Sequence, residues 1–143
     1  MPEKVLYTAA ATATGDGRNG HVRSSDGLLD ADLVTPKEMG GAGGATNPEQ
    51  LFAAGYSACF LSALKASSKQ HGVTVTDASV TAEVGIGPAA DKGFELQVTL
   101  NVELGGDVSH EDAEMAVAVA HELCPYSNAT RGNVEVTLNV EVA

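Results

Sequence analysis

Strict alternation of apolar and polar residues marks three segments in the second half of the chain. Residues 80–86, 94–104 and 134–142 carry an apolar side chain at every second position, with Thr, Glu, Gln and Asn between them. Such a pattern is typical of strands with one covered face and one solvated face. The hexamer VTLNVE occurs at both 98–103 and 136–141. It indicates two equivalent strands rather than a repeat architecture, because nothing else recurs at that spacing.

A long helix is predicted over residues 49–70. Asn47 can cap it, Pro48 suits the first helical position, and Gln50 completes a capping-box pattern. The run has few charges and almost no polar face, which predicts a helix buried on all sides. Gly72 is expected to end it.

The remaining segments complete the predicted fold. Ser109 can cap a second helix that Pro125 ends. Short strands over 5–14, 21–24 and 28–34 surround a turn at 15–20, and 36–45 is so rich in glycine that it predicts a flexible loop. The expected architecture is a single α+β domain spanning 1–143, with antiparallel strands around an apolar central helix.

Composition removes several classes of function. The 143 residues carry a formal charge of −11 at neutral pH, which argues against nucleic-acid and anionic-membrane partners. No apolar run approaches the ~18 residues of a spanning helix, and the N-terminus lacks an export signal. We therefore expect a cytoplasmic protein without membrane insertion. In that setting the two cysteines, Cys59 and Cys124, are redox or reactive thiols rather than a structural bridge.

Two other motifs have simpler explanations. Residues 15–20 read GDGRNG and match the dinucleotide pattern GxGxxG, but a strand-like segment follows where that fingerprint needs a helix. Cys59, His71, His121 and Cys124 could form a two-Cys, two-His zinc site, yet their spacing is not that of a zinc finger or ribbon. We expect no metal and no bound nucleotide.

The two cysteines occupy different settings. Cys59 lies in the middle of the apolar helix, where burial raises a thiol pKa, so its reactivity requires a cation from elsewhere in the chain. Among eight Lys and Arg residues, Arg18 stands out because it lies inside a glycine-lined turn. Cys124 directly precedes Pro125, which favours a non-helical, movable position. These settings suit a redox pair in which an activated thiol attacks the substrate and a movable thiol then resolves the oxidised product.

Three stretches extend this picture to a family. LYTAAATATGDGRNGHVRSSDG, TNPEQLFAAGYSACF and CPYSNATRGN span most of the chain and resemble the organic hydroperoxide resistance proteins (Ohr), a branch of the OsmC-like group. The resemblance implies an OsmC-like fold, an intertwined homodimer and a bacterial thiol peroxidase that reduces organic and fatty-acid hydroperoxides in the oxidative stress response. It also implies that no cofactor is bound and that lipoylated protein or dihydrolipoamide returns the electrons.

The resemblance also assigns residues. Cys59 is the expected peroxidatic cysteine and Cys124 the resolving one, so that they would pass through a Cys59 sulfenic acid and a Cys59–Cys124 disulfide. Arg18 and Glu49 are the expected pair that organises the thiolate, with Glu49 orienting the guanidinium. An apolar surround from Phe52, Met39 and Tyr126 would favour bulky organic peroxides.

A distance along the central helix bears on the dimer. Glu49 and Cys59 are ten residues apart, which is about 15 Å of rise, too far for a Glu side chain on a straight helix. Either the helix kinks near Gly55 or the Arg18–Glu49 pair reaches a Cys59 of the other subunit. We predict the second arrangement, with each active site built across the interface.

Two alternatives remain open on sequence grounds. In the first, the protein has a structural or binding role, Cys59 is inert and a bridge to Cys124 only stabilises. In the second, Cys59, His121 and Cys124 bind zinc. The response of the thiols to one equivalent of an organic hydroperoxide separates these alternatives from the peroxidase.

Overall fold

The computed structural model describes the whole chain, Met1–Ala143, as an α+β protein, as predicted. It divides into two compact units, residues 1–51 and 52–143, and each is described by itself. None of the helices is both long and apolar enough to cross a membrane. The elements in chain order are β1 (Ala11–Gly15), β2 (Gly20–Ser24), β3 (Asp30–Leu33), a 3-10 turn (Lys37–Met39), α1 (Pro48–Gln70), β4 (Asp77–Pro88), β5 (Phe94–Gly105), α2 (His110–Leu123), α3 (Pro125–Thr130) and β6 (Glu135–Val142).

The first unit contains a three-stranded antiparallel sheet in the order β1-β2-β3. The turn between β1 and β2 lies at residues 15–20, as predicted. The first strand was predicted from residue 5, but it begins at Ala11 because five-residue β2 pairs only with Ala11–Gly15. The exposed Val5, Leu6 and Tyr7 therefore precede the sheet.

The glycine-rich loop of this unit contains local structure that the prediction missed. Lys37–Met39 form one turn of 3-10 helix. The Gly41 N–H donates to the Pro36 carbonyl at 3.0 Å, which folds the loop back on itself. A Cβ at Gly41 would lie 2.0 Å from the Thr35 carbonyl oxygen, so only glycine fits this position.

The second unit contains a sheet in the order β4-β5-β6. β4 and β5 are antiparallel, but β5 and β6 are parallel, so the prediction of antiparallel strands is wrong for this pair. The reason is the connection: α2 and α3 lie between β5 and β6, and a helical crossover returns the chain in the same direction.

The repeated hexamer forms the centre of this parallel pair. Its two copies lie side by side in register, so that each residue faces its own equivalent from Val98–Val136 to Glu103–Glu141. The Asn139 side-chain amide donates to Asn101 Oδ1 at 2.9 Å. Identical alternation in adjacent parallel strands places matching side chains on the same face.

The core of the second unit lies between β5, α1 and α2. Only one face of α1 is buried, which contradicts the prediction of burial on all sides: Tyr56, Phe60 and Leu64 are fully buried, whereas the small residues Ala54 and Ala58 are exposed. Within the second unit, the sheet and α2 pack against one side of the helix. The buried hydrophobic side chains of this core are Tyr56, Phe60, Leu64, Val98, Leu100, Val102, Leu104, Ala113, Ala116, Val117, Ala120 and Cys124.

The helix ends follow the predicted capping residues with two differences. Asn47 Oδ1 accepts from the Gln50 N–H at 2.9 Å, but the Gln50 side chain bonds the Thr46 hydroxyl instead of closing a capping box. Ser109 caps α2 through the Asp112 N–H at 3.1 Å. Pro125 follows the end of α2 but also begins α3, which the prediction missed although proline is well suited to a first helical position.

Candidate active site

The two thiols lie next to each other in the second unit. Cys59 is on α1, Cys124 is the junction between α2 and α3, and their Sγ atoms are 3.7 Å apart. Both cysteines are free. A disulfide bond is about 2.05 Å long, so bond formation needs an approach of roughly 1.7 Å between the sulfurs. The two sulfurs are therefore in contact but not at the length of a disulfide bond.

The burial of the two cysteines differs from the sequence expectation of a buried Cys59 and a movable Cys124. Cys59 is partly exposed, whereas Cys124 is completely buried. The Cys124 backbone is also tied down, because its N–H donates to the Ala120 carbonyl at 2.8 Å and its carbonyl accepts from the Asn128 N–H at 2.9 Å. Cys59 lies three residues after buried Tyr56, at the margin of the buried face of α1. Of the two sulfurs, Cys59 is the one that an external molecule can reach.

The surroundings of Cys59 within this unit raise the pKa of its thiol. Burial raises the pKa of the Cys59 thiol, and the hydrogen bond from the Cys124 thiol raises it further, while the backbone N–H of Tyr126 lowers it. None of these groups carries a positive charge. A reactive thiolate at this position therefore needs a cation in addition, as the sequence analysis expects.

Three aromatic rings lie beside the thiols. Phe52, Tyr56 and Tyr126 are mutually tilted or edge-on, with ring centroids 5.8 to 6.4 Å apart. Gly55 makes room for this cluster, because a Cβ there would lie 3.1 Å from the Tyr126 hydroxyl oxygen. The structure thus brings two of the three predicted substrate residues together. The third, Met39, is exposed in the 3-10 turn of the first unit.

The charged pair lies in the first unit. Arg18 Nη1 donates to Glu49 Oε2 at 2.9 Å and Nη2 donates to Glu49 Oε1 at 2.7 Å, a bidentate arrangement that fixes the plane of the guanidinium. The hydrogen bonds from Arg18 hold the pKa of the Glu49 carboxyl below its usual value. The Arg18 side chain is 38% exposed and that of Glu49 is 13% exposed. The guanidinium therefore carries its charge at an accessible position.

The structure pairs the four predicted catalytic residues two by two. Arg18 with Glu49 belongs to residues 1–51, and Cys59 with Cys124 belongs to residues 52–143. α1 is assigned as one uninterrupted helix through Gly55. The catalytic roles of all four residues stay predictions, and so does the placement of the charged pair across a dimer interface.

Two of the sequence hypotheses, a dinucleotide turn and a zinc site, require arrangements that differ from the observed ones. The GDGRNG turn leads into strand β2, not into the helix that a dinucleotide site requires. No group of three or more His, Cys, Asp or Glu side chains is arranged to hold a metal ion. His71 Nδ1 instead lies 2.9 Å from the Ser67 carbonyl oxygen, and His121 Nδ1 lies 2.8 Å from Ser127 Oγ.

A polar network that the sequence did not reveal lies close to the thiols. The Tyr56 hydroxyl lies 2.8 Å from Ser127 Oγ and 3.1 Å from Thr130 Oγ1, in the buried interior of the unit. Spacing along the chain could have indicated that these hydroxyls lie near the thiols. Tyr56 precedes Cys59 by three residues, and Ser127 follows Cys124 by three. Three positions correspond to about one helical turn.

The fold and the site together define an α+β protein with a vicinal pair of free thiols. A family model described as OsmC-like protein matches residues 41–139. An organic hydroperoxide resistance protein of Xanthomonas axonopodis pv. citri is 53% identical over 141 residues, which cover 97% of each chain. The chain therefore belongs to the OsmC-like family, in its organic hydroperoxide resistance branch.

Solved structures agree with this assignment. The crystal structure of an organic hydroperoxide resistance protein from Legionella pneumophila matches with a TM-score of 0.92 and 53% identity, covering 97% of this chain and 100% of that one. OhrB of Bacillus subtilis matches with a TM-score of 0.86 and 46% identity, over 96% and 100% of the two chains. The expected family and fold are confirmed.

Proposed function

We propose that the protein is a cysteine-based peroxidase that reduces organic hydroperoxides, including those of fatty acids, to alcohols and so protects against oxidative stress. The observation that carries the proposal is the pair of free thiols with sulfurs 3.7 Å apart, of which Cys59 is accessible and Cys124 is buried. Relatives about half identical to this chain are named organic hydroperoxide resistance proteins, which supports the choice of substrate.

In the first step the Cys59 thiolate attacks the distal oxygen of the hydroperoxide. The O–O bond breaks, the alkoxide takes a proton and leaves as the alcohol, and Cys59 becomes a sulfenic acid. The guanidinium of Arg18 favours the thiolate, because an opposite charge nearby lowers a thiol pKa. Its bidentate bond to Glu49 holds the guanidinium in one orientation, so that less side-chain freedom is lost when substrate binds.

In the second step the Cys124 thiol attacks the sulfur of the Cys59 sulfenic acid. An S–S bond forms, and the hydroxyl group leaves with the Cys124 proton as water. The buried position of Cys124 favours this order of events, since peroxide and solvent reach Cys59 first. The sulfurs need to approach by only about 1.7 Å to reach bonding distance.

An external dithiol closes the cycle. Its thiolate attacks one sulfur of the disulfide to give a mixed disulfide, and its second thiol then releases the reduced protein. We propose a lipoylated protein or dihydrolipoamide as this reductant, and no bound cofactor. Phe52 and Tyr126 offer an apolar surface beside Cys59 for the organic part of the peroxide, and Met39 is proposed as a further contact.

We also propose that the active unit is a homodimer with sites shared between subunits. Apolar side chains of residues 1–51 are exposed in the single chain, among them Leu6, Tyr7 and Leu28, each at least 79% exposed. The small-residue face of α1 is exposed as well. A second copy would cover these surfaces, and it would supply the cation that Cys59 needs.

Thiol counting after one equivalent of an organic hydroperoxide tests the peroxidase proposal. We expect rapid loss of both thiols in the wild-type protein, a sulfenic acid that persists in Cys124→Ser, and no reaction in Cys59→Ser. The same assay with hydrogen peroxide measures the preference for organic substrates. Oxidation no faster than that of free cysteine would contradict the proposal and favour the purely structural role.

A further inference from the structure

Four side chains beside the thiol pair take no part in the steps proposed above. His121 Nδ1 lies 2.8 Å from Ser127 Oγ, and Ser127 Oγ lies 2.8 Å from the Tyr56 hydroxyl. The Tyr56 hydroxyl lies 3.1 Å from Thr130 Oγ1, which in turn donates to the Ser127 carbonyl at 3.2 Å. Tyr56, Ser127 and Thr130 are all buried. Buried hydroxyls are retained only where their hydrogen bonds are made.

All of these hydrogen bonds can be made at once with only one assignment of donors and acceptors. Each hydroxyl has a single proton, so Thr130, which donates to the Ser127 carbonyl, must accept from Tyr56. Tyr56 must then accept from Ser127, and Ser127 must accept from the Nδ1–H of His121. The network therefore has a defined polarity, and every hydroxyl in it is satisfied. A satisfied buried network of this kind gives a rigid local arrangement.

This network joins the two segments that carry the thiols. Tyr56 lies three residues before Cys59 on α1, and Ser127 lies three residues after Cys124. Side-chain hydrogen bonds between α1 and residues 124–130 are made by the Tyr56 hydroxyl and by Cys59 alone. The Tyr56 hydroxyl therefore fixes how far Cys124 stands from α1, about one turn away from the sulfurs themselves.

We infer that Tyr56 is a positioning residue for disulfide formation: its hydroxyl, held by Ser127 and Thr130, keeps the Cys124 thiol within reach of Cys59. The inference rests on the proposed function in one respect: the hydroperoxide is the oxidant that converts Cys59 to the sulfenic acid. The step concerned is the second one, in which the Cys124 thiol and the Cys59 sulfenic acid give the disulfide and water. A thiol held close to its partner reacts as though at high local concentration, so loss of the constraint slows the step and weakens the bond formed.

The variant Tyr56→Phe removes this constraint and keeps the aromatic ring. We expect disulfide formation from the sulfenic acid to be about tenfold slower, and the reduction potential of the Cys59–Cys124 pair to rise by about 30 mV, which is a tenfold change in the two-electron equilibrium. The first step should change less than about twofold, measured in a Cys124→Ser background, because the variant keeps the aromatic ring and the proposed first step does not use the Tyr56 hydroxyl.

Ser67→Ala is the matched control. Ser67 Oγ is also buried and donates to the Ala116 carbonyl of α2 at 3.0 Å, so this variant also removes one buried hydroxyl that ties α1 to its neighbour, but farther from the thiols. We expect its potential to equal that of the wild-type protein. Thr130→Val and Thr130→Ser form a second pair, in which only the valine variant loses the acceptor for Tyr56 and shifts the potential. This pair decides the matter if Tyr56→Phe does not fold.

Titration in mixtures of reduced and oxidised lipoamide, followed by counting of free thiols, measures the potential without any peroxide. An unchanged potential in both Tyr56→Phe and Thr130→Val would overturn the inference, and so would an equal shift in Ser67→Ala. If the wild-type protein failed to react with hydroperoxides, the proposed function would fall while the potentials still judged the positioning role. The two ideas can therefore fail separately.

Discussion

The two compact units of this chain hold complementary halves of the proposed chemistry. Residues 1–51 contain the Arg18–Glu49 ion pair, which is charged and accessible and has no thiol. Residues 52–143 contain the Cys59–Cys124 pair, which is packed against apolar groups and has no cation among the groups that shift the Cys59 pKa. Burial protects the thiols and allows disulfide formation, but it also suppresses the thiolate. A peroxidase needs both environments at one point, and we propose that dimerisation joins them.

Removal of Arg18 should have the largest effect on the reaction with organic hydroperoxide, because it takes away the charged half of the proposed site. In the proposed dimer, loss of the guanidinium leaves the Tyr126 backbone N–H as the only group that lowers the Cys59 pKa against burial, so less thiolate exists at neutral pH. We expect Arg18→Ala to lower the rate of reaction with organic hydroperoxide by about 100-fold or more. The rate of Cys59 alkylation by iodoacetamide, measured against pH, should rise only at higher pH than in the wild-type protein.

Two variants serve as comparisons for Arg18→Ala. Arg18→Lys keeps the charge but loses the bidentate bond to Glu49, and we expect an intermediate rate. Arg23→Ala removes an exposed arginine on β2 of the same unit, and we expect no change. An unchanged alkylation profile in Arg18→Ala would show that the charged pair does not serve Cys59.

Mixed dimers test whether the two halves meet across an interface. Arg18→Ala and Cys59→Ser should each be nearly inactive alone. If sites are shared between subunits, a heterodimer contains one complete site, and random mixing should restore about a quarter of the wild-type activity. Co-expression with two different affinity tags isolates the heterodimer for assay. A heterodimer as inactive as its parents would place the complete site within one chain.

Gly55→Ala should change the surroundings of Cys59 and lower its reaction rate, but by less than the loss of Arg18. The added Cβ would lie 3.1 Å from the hydroxyl oxygen of Tyr126 and 3.2 Å from its ring, so the ring must shift. Because the Tyr126 backbone N–H lowers the Cys59 pKa, we expect a several-fold lower rate with organic hydroperoxide. The loss of stability should be about 1 kcal/mol, since overpacking outweighs the better helix propensity of alanine.

Ser62→Ala is a control for that change, because it places another alanine at an exposed position of the same helix. We expect its rate with organic hydroperoxide to match that of the wild-type protein. A Gly55→Ala rate equal to that of Ser62→Ala would show that the position of the Tyr126 ring has no influence on Cys59.

The smallest effect is expected at the start of α1. Asn47→Ala removes the bond from the Gln50 N–H to Asn47 Oδ1, which should lower the free energy of unfolding by about 1 kcal/mol. The thiols are untouched, so their oxidation rate should stay within about twofold of the wild-type rate. Urea denaturation and the thiol assay measure the two quantities, and a large loss of peroxide reactivity would mean that the cap also orients Glu49.

Local sequence patterns predicted most of the fold correctly. Period-two alternation located β4, β5 and β6, and capping residues located the ends of α1 and α2. The direction of β6 was wrong, because alternation reports which face a side chain occupies and not which way the strand runs. The burial of α1 was also wrong, because a small exposed Ala58 and a buried Ala116 look alike in sequence.

The candidate site was likewise predicted in part from the sequence. The sequence located Cys59, Cys124, Arg18 and Glu49 through motifs, and it indicated that a buried thiol needs a cation. It did not reveal the Tyr56 network, since hydroxyls 71 and 74 residues apart show no relation before the chain folds. It also predicted a buried Cys59, which is partly exposed, and a movable Cys124, which is completely buried.

The sequence by itself determined the elements, the family and the residue types of the chemistry, because these depend on neighbouring positions and on motifs read directly. Tertiary structure alone decided that the two sulfurs lie 3.7 Å apart, that Cys124 is the buried partner, and that the expected pair of Arg18 and Glu49 has two hydrogen bonds of 2.9 and 2.7 Å. Those facts depend on contacts between residues 31 and 65 positions apart. Only packing of the folded chain brings such residues into contact.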